Sequence, residues 1–405
     1  MPHIELKSVE QLRWMREAGL VVASIHEALR AAVRPGITTR ELDEVSAQAI
    51  ADGGATSNFL GYYGYPATVC ISVNDVIVHG IPDDYELAAG DIVSFDCGAF
   101  VERGGKQWHG DAAFSVIVGE PFIEDADFAA GTRASGAIAG VDETTLRERR
   151  ELDAVTRESL WAALAGLATG KRISAVGKAV ETVVAENALI NGWEAGIVEE
   201  FVGHGIGTRM HMPPDVLNYN VRGIQARLKP GMVLAVEPML TRGDIASSTD
   251  DDEWTVRTVD GRDAAHWEHS IAIMEDGVSV LTARDGGVAG LAPYGVTPVS
   301  LDRDHGRIRA RYSTECRART FNRRGRGWVA GVPGAAGLLA VSSVFRMAVF
   351  WVAGLAVFLL AVSSVFRAPL GPLAIRAASV TRRVGSKPGQ AAAPSALSSL
   401  VARGL

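Results

Sequence analysis

A chain of 405 residues, 47% hydrophobic and 21% charged, can bury a large core, which excludes a disordered or low-complexity protein. Its net charge of −7 is unevenly divided: residues 301–405 carry 16 Lys/Arg against 3 Asp/Glu, and residues 1–300 carry 24 against 44. So acidic a body disfavours nucleic-acid binding there, although the basic tail could contact phosphates. Cys70, Cys97 and Cys316 show neither CxxC nor framework spacing, which suits a reducing compartment. The N-terminus Met1-Pro-His-Ile-Glu-Leu-Lys7 lacks the basic-then-apolar order of a signal peptide, so the body is expected in the cytoplasm.

In chain order, Leu12, Met15, Val22, Ile25 and Leu29 recur at helical spacing and predict an amphipathic helix over 8–32, opened by a Ser8/Gln11 capping box. Arg34-Pro35-Gly36 ends it, and Thr38-Thr39-Arg40-Glu41 opens a second helix to about Asp52. Short strands are predicted at 69–73 and 76–79 around Asn74-Asp75, then at 91–100 and 111–118 with a turn at Gly104-Gly105. Residues 122–150 lack clear periodicity and read as an insertion running into a helix. Helices at 152–167 and 174–187 follow, then strands near 196–202, 232–237, 254–258 and 268–274. Each half thus places helices before strands, and each carries two acid-bearing strands: Asp96 and Asp111, then Glu237 and Glu268.

After residue 300 the character changes. An arginine-rich stretch reaches Arg326, and residues 347–366 contain no charge, long enough to span a bilayer. The nonapeptide Leu338–Arg346 recurs unchanged as Leu359–Arg367. The division expected is a body over 1–300 and a C-terminal extension over 301–405, with membrane contact through 347–366 as one reading and poorly selected sequence as the other.

The chemistry centres on Gly203-His204-Gly205-Ile206-Gly207. A histidine in an apolar run is most often structural, but glycines on both sides allow close approach of backbone or ligand. Phe95-Asp96-Cys97-Gly98, His109-Gly110-Asp111, Val236-Glu237-Pro238 and Trp267-Glu268-His269 supply four carboxylates, each embedded among apolar residues. Such acids are costly to bury without positive charge, and a pair of divalent cations provides it. Oxygen-rich ligation with one imidazole suits Mn, Fe or Co better than structural zinc.

The order Asp96, Asp111, His204, Glu237, Glu268 resembles the ligand set of the type I methionine aminopeptidases, which share the pita-bread fold. The resemblance covers about residues 5–295. It extends to Gly61-Tyr-Tyr-Gly-Tyr-Pro66, Val69-Cys-Ile-Ser-Val-Asn74, His79-Gly-Ile-Pro-Asp-Asp84, Leu228-Lys-Pro-Gly-Met232, Val236-Glu-Pro-Met239 and Trp254-Thr-Val-Arg257. It implies an α+β fold of two pseudo-symmetric α/β halves, with a curved antiparallel sheet around a dinuclear site. It further implies that Asp96 chelates one metal, that Asp111 and Glu268 bridge both, and that His204 and Glu237 complete the shell of the second metal. Glu237 would move the proton, and His79 and His211 would contact the substrate amide from its two sides. Phe59, Tyr62, Tyr65, Cys70, Met210 and Trp254 would form the methionine pocket. The implied activity is removal of the N-terminal methionine from nascent proteins with a small second residue, by a monomer in transient contact with the ribosome.

Three departures stand out. Met212 follows His211 where the family usually has Glu, the Asp96–Asp111 spacing is longer than common, and residues 122–148 lengthen a link. A Xaa-Pro aminopeptidase or prolidase shares the five ligands, but the Tyr62–Cys70 and His79-Gly-Ile-Pro82 blocks argue against it. A pita-bread binding protein that has lost catalysis usually lacks a ligand, and all five are present here. His266 and His269 match no family role and are expected to be structural or solvent-facing. Asp250-Asp-Asp-Glu253 is expected to be a solvated loop.

Overall fold

The computed structural model describes residues 3–301; the C-terminal extension, its repeated nonapeptide and the apolar run 347–366 lie outside the described residues. Among the described residues no helix is long and apolar enough to cross a membrane.

The chain opens with two helices that start where the sequence places them. α1 spans Val9–Ala32, and its Ser8 and Gln11 form a reciprocal capping box; α2 spans Thr39–Asp52, with the same device in Thr38 and Glu41. β1 (Thr56–Ser57), β2 (Val69–Val73) and β3 (Val76–Val78) follow. β4 (Ile92–Arg103) and β5 (Lys106–Ile117) then form a hairpin paired continuously from Ile92↔Ile117 to Arg103↔Lys106. The strands are longer than the sequence pattern predicts because the extra residues before His109 pair up to the turn rather than looping out. β1, β4, β2 and β5 make one sheet, whereas β3 leaves it to pair with a later strand.

The insertion contains α3 (Asp125–Ala129). α4 runs over Glu143–Thr169, nine residues ahead of its expected start, because Asp142 accepts from the Thr145 N–H and caps an otherwise polar first turn. α5 (Ala175–Asn191) leads to the strands of the second half: β6 (Gly196–Ile197), β7 (Gly203–Gly205), β8 (Met212–Val216), β9 (Val233–Val236), β10 (Met239–Thr241), β11 (Ser247–Thr249), β12 (Val256–Thr258), β13 (Ala264–His266), β14 (His269–Met274) and β15 (Gly277–Val280), before α6 (Val288–Leu291). They form a five-stranded sheet, β15-β14-β9-β7-β8, and two three-stranded ones, β13-β10-β6 and β11-β12-β3. β9 and β14 pair antiparallel, but they are not a hairpin: β10 to β13 intervene.

Alternation on β4 shows how core and site share one strand. Phe95 and Cys97 are fully buried in the main hydrophobic core, and Asp96 between them faces the other way, opposite Cys70 of β2. The two halves are stitched at the acid-bearing residues. Ala113 and Glu268 exchange two backbone hydrogen bonds, at 3.3 and 2.9 Å. The Ser270 hydroxyl donates to the Asp111 carbonyl at 2.8 Å and accepts from its N–H at 3.1 Å.

α1 lies directly against this stitch. A Cβ on Gly19 would sit 2.3 Å from the Leu281 carbonyl oxygen, and one on Gly110 would sit 2.8 Å from the Gly19 nitrogen. Both contacts are to backbone and cannot be relieved by a rotamer change. Gly19→Ala is therefore expected to destabilise the fold by about 1–3 kcal/mol, read as a lower thermal midpoint, whereas Gly54→Ala, with open space around it, incurs only the strain of a positive φ.

Candidate metal centre and substrate pocket

A narrow cavity opens between the halves, and Asp96, Asp111, His204, Glu237 and Glu268 all line it. Asp96 and Asp111 come from the β4–β5 hairpin, where Gly98 is the register partner of Asp111. A Cβ at Gly98 would meet Asp111 Oδ1 at 2.9 Å and Asn58 Nδ2 at 2.5 Å, so glycine there leaves room for the carboxylate. Glu237 and Glu268 stand at the joined ends of β9 and β14, next to the paired Val236 and His269. His204 sits in mid-β7, and its Nδ1 lies 3.0 Å from the Gly205 carbonyl. A proton on Nδ1 satisfies that contact and leaves the Nε2 lone pair for the cavity.

The residues present fit a cation. Asp111, His204 and Glu268 can bring one ligand atom each within 4.8 Å of one another, and Glu237 Oε1 lies 3.5 Å from His204 Nε2. Among the described residues, Asp96 Oδ1, Asp111 Oδ1, Glu237 Oε1 and Glu268 Oε1 are buried without a hydrogen-bond partner. Among the described residues no arginine or lysine lines the cavity. Burial raises every one of these carboxyls, Asp96 to about 7 and Asp111, Glu237 and Glu268 well above the usual range, with mutual repulsion adding to the last three. Unpaired buried acids with no cation of their own are the signature of a site built for metal.

The predicted pocket residues collect beside the acids. Phe59, Tyr65, Cys70 and Met210 form a buried cluster, with Tyr62 and Trp254 packed against it; Phe59, Tyr65 and Cys70 reach the cavity wall. Trp254 meets Tyr65 edge-on at 5.1 Å, and its backbone N–H donates to Asp252 Oδ1. Asp252 is thus a structural support within the Asp250–Glu253 loop, in which Asp251, Asp252 and Glu253 are exposed and Asp250 is half-buried. Burial pushes the Cys70 thiol well up, so it remains a neutral wall of the pocket.

His79 and His211 face the same cavity. His79 adopts φ 61°, a left-handed conformation uncommon outside glycine, and its buried Nδ1 has no partner. Its ring stands edge-on to Phe201 at 5.3 Å, and burial lowers its pKa to about 3, so it is a neutral imidazole. His211 Nδ1 meets the Tyr62 hydroxyl at 2.9 Å. The Met212 substitution therefore does not leave His211 unsupported: Tyr62 orients it, and burial pushes the Tyr62 phenol up to about 12, so the proton stays on the oxygen.

One expectation is corrected. His266, expected to be structural or solvent-facing, is 2% exposed and lines the cavity, with Nε2 unpartnered. His269 is structural, bonded through Nδ1 to the Thr282 hydroxyl at 2.8 Å on the other side of β14. Phe201 and Met239 also line the cavity without having been singled out from the sequence. Their signal was only proximity in sequence to His204 and Glu237.

Comparison with known proteins decides between the chemistries this site could perform. A model of metallopeptidase family M24 matches residues 13–275. The chain belongs to that family. It is 44% identical over 277 residues to methionine aminopeptidase 1 of Mycobacterium tuberculosis, covering 68% of this chain and 94% of the relative. It is 40% identical over 276 residues to the Bacillus subtilis protein of the same name, covering 68% and 98%. The solved methionine aminopeptidase of Thermotoga maritima superposes with a TM-score of 0.58 at 33% identity, over 70% of this chain and all of that one. The resemblance to type I methionine aminopeptidases and to the pita-bread fold therefore holds, and the chain is a metal-dependent peptidase.

Proton competition follows from the raised carboxyls. A carboxyl raised by folding stabilises the fold while protonated, and that contribution is lost as pH rises through the raised value, for Asp96 from about 4 to about 7. The buried neutral histidines act oppositely, costing stability below their usual range. A cation needs these carboxylates ionised, so adding Mn²⁺ to the stripped protein near about pH 6.5 should expel protons. Titration calorimetry in two buffers of different ionisation heat checks this: the heats should differ, and identical heats would mean that the carboxyls were ionised beforehand.

Proposed function

We propose that the chain removes the N-terminal methionine from nascent polypeptides with a small second residue, using two divalent cations such as Mn, Co or Fe. The observation that carries this reading is the junction of two unlike surfaces in one cavity. Five metal-competent side chains, Asp96, Asp111, His204, Glu237 and Glu268, adjoin an aromatic and thiol-lined wall of Phe59, Tyr65 and Cys70.

Divalent cations held by those five residues supply Lewis-acid activation of water and of the scissile carbonyl. The rest falls to the chain. Burial gives Glu237 a high affinity for a proton, so it can take one from the attacking water and later return it to the leaving amine. His79, neutral and unpartnered at Nδ1, can donate to the scissile carbonyl as charge develops on its oxygen. His211, held by Tyr62, contacts the substrate from the opposite side. The thioether is received by Cys70 and by the rings of Tyr65 and Trp254, which suit a flexible, polarisable side chain. A free α-amine beside Asp96 restricts cleavage to the first residue, and a second residue placed next to the carboxylates must be small.

The relatives carry the methionine aminopeptidase name rather than a prolidase one, and all five ligand residues face the cavity, which disfavours a binding protein without catalysis. Buried, unpaired Cys70 and Cys97 suit the cytoplasm. Action on nascent chains calls for transient ribosome contact, and a monomer suffices because every residue invoked comes from one chain. Residues 1–300 act as the catalytic domain and 301–405 as a separate extension.

Two measurements check this. The full-length chain, given Met-Ala-Ser and Ala-Pro-Ser peptides with Mn²⁺, should release methionine alone, and a chelator or Glu268→Gln should abolish release. Release of alanine would instead assign the Xaa-Pro class, and release of nothing with Mn²⁺ bound would remove the peptidase claim. Trp254→Ala should raise KM for Met-Ala-Ser about 10–200-fold, the worth of a lost apolar pocket contact, with a smaller effect on kcat; an unchanged KM would take Trp254 out of the pocket.

A further inference from the structure

His266 is the one cavity-lining histidine to which the resemblance assigns no role. Its backbone is fixed on both sides. The His266 N–H donates to the hydroxyls of Ser94 and Ser115 at 3.1 and 3.2 Å, and the Ser115 hydroxyl donates to the His266 carbonyl at 3.0 Å. In the sheet it is the register partner of Met239, two residues beyond Glu237. The imidazole is thereby carried into the cavity, 2% exposed, and its Nε2 has no partner among the described residues. That atom lies 3.9 Å from Glu237 Oε2, while the other oxygen of the same carboxylate, Oε1, lies 3.5 Å from His204 Nε2.

The two histidines thus approach different oxygens of one glutamate. They cannot serve the same purpose. His204 turns its lone pair inward, because its Nδ1 meets a carbonyl. His266 Nε2 meets no hydrogen-bond partner among the described residues, and a neutral imidazole protonated there offers a donor to an acceptor-only carboxylate. At 3.9 Å the contact is too long for a hydrogen bond. Contacts of this kind commonly tighten when an active site is loaded.

We infer that His266 is a positioning residue for Glu237: its Nε2–H holds Oε2, so that Oε1 is presented to the cation beside His204. This inference rests on the proposal that Glu237 ligates metal. It places His266 outside the ligand set and gives it a task that an apolar residue of the same volume could not perform. A carboxylate oriented by an outside donor keeps one defined oxygen for the metal and the other for the proton it must carry.

The test uses the full-length, metal-stripped protein and two substitutions of similar volume, His266→Gln, which keeps an N–H donor, and His266→Leu, which does not. Titration with Mn²⁺ should show affinity lowered about 10–100-fold in His266→Leu and largely restored in His266→Gln. At saturating Mn²⁺, kcat for Met-Ala-Ser should fall in His266→Leu with KM little changed. Wild-type affinity and kcat in His266→Leu would overturn the inference, and so would equal losses in both variants, which would mean that shape rather than the donor matters. If neither variant folds, His266→Asn and His266→Ala carry the same donor comparison in a smaller side chain. A wild-type chain that binds no Mn²⁺ would overturn the metal reading itself, a result distinguishable from failure of the variants alone.

Discussion

Four carboxyl groups buried together without a lysine or arginine are the constraint on which the rest of this structure depends. An ionised carboxylate in such surroundings costs several kcal/mol even after relaxation, so roughly that much per group must be returned by a cation or avoided by protonation. The raised proton affinities of Asp96, Asp111, Glu237 and Glu268 are the second solution. They explain why proton and metal compete for the same oxygens. The surrounding imidazoles take no part in neutralising the acids. Burial keeps His79, His204 and His266 uncharged, so they act through lone pairs and N–H donors alone.

Holding four unpaired acids in place requires that their backbones be fixed by something other than their side chains. The hydrogen bonds between Ala113 and Glu268 and between Ser270 and Asp111 do this, and they join residues more than a hundred positions apart. Asp111 and Glu268 are thereby anchored through their backbones, which keeps their carboxylates out of these bonds. The glycines at 19, 98 and 110 belong to the same arrangement, because α1, the hairpin and the Asp111 carboxylate converge too closely for a Cβ at any of them.

Much of this was legible in the sequence because the signals were local. Ser8/Gln11 and Thr38/Glu41 mark helix starts through capping chemistry, and alternation in Phe95-Asp96-Cys97 separates a core face from a site face. The five acid and histidine positions stand out as polar residues in apolar strands. What was not legible depended on pairing between distant segments. β10 and β13 have three residues each, too few for a periodic pattern, and β9 pairs with β14 across the 32 residues 237–268. The orientation of His266 follows from that pairing and from Ser94 and Ser115, so no inspection of Ala265-His266-Trp267 could have supplied it. Likewise, Tyr62, a hydrogen-bond partner of His211, lies 149 positions away, and the residue next to His211 in sequence carries no information about that bond.

The same pairing explains how one cavity can measure a single side chain. Cys70 and Asp96 are directly opposed on neighbouring antiparallel strands, so a wall of the apolar pocket and an acid of the metal centre are separated by one cross-strand step of roughly 5 Å. A peptide whose amine lies at the acids has only that distance before its first side chain meets Cys70 and Tyr65. An internal residue would have to bring a second stretch of backbone into the same gap, against the buried β2–β4 pair. On the proposed function, the register between these two strands would act with the α-amine beside Asp96 to restrict the chemistry to the end of a chain.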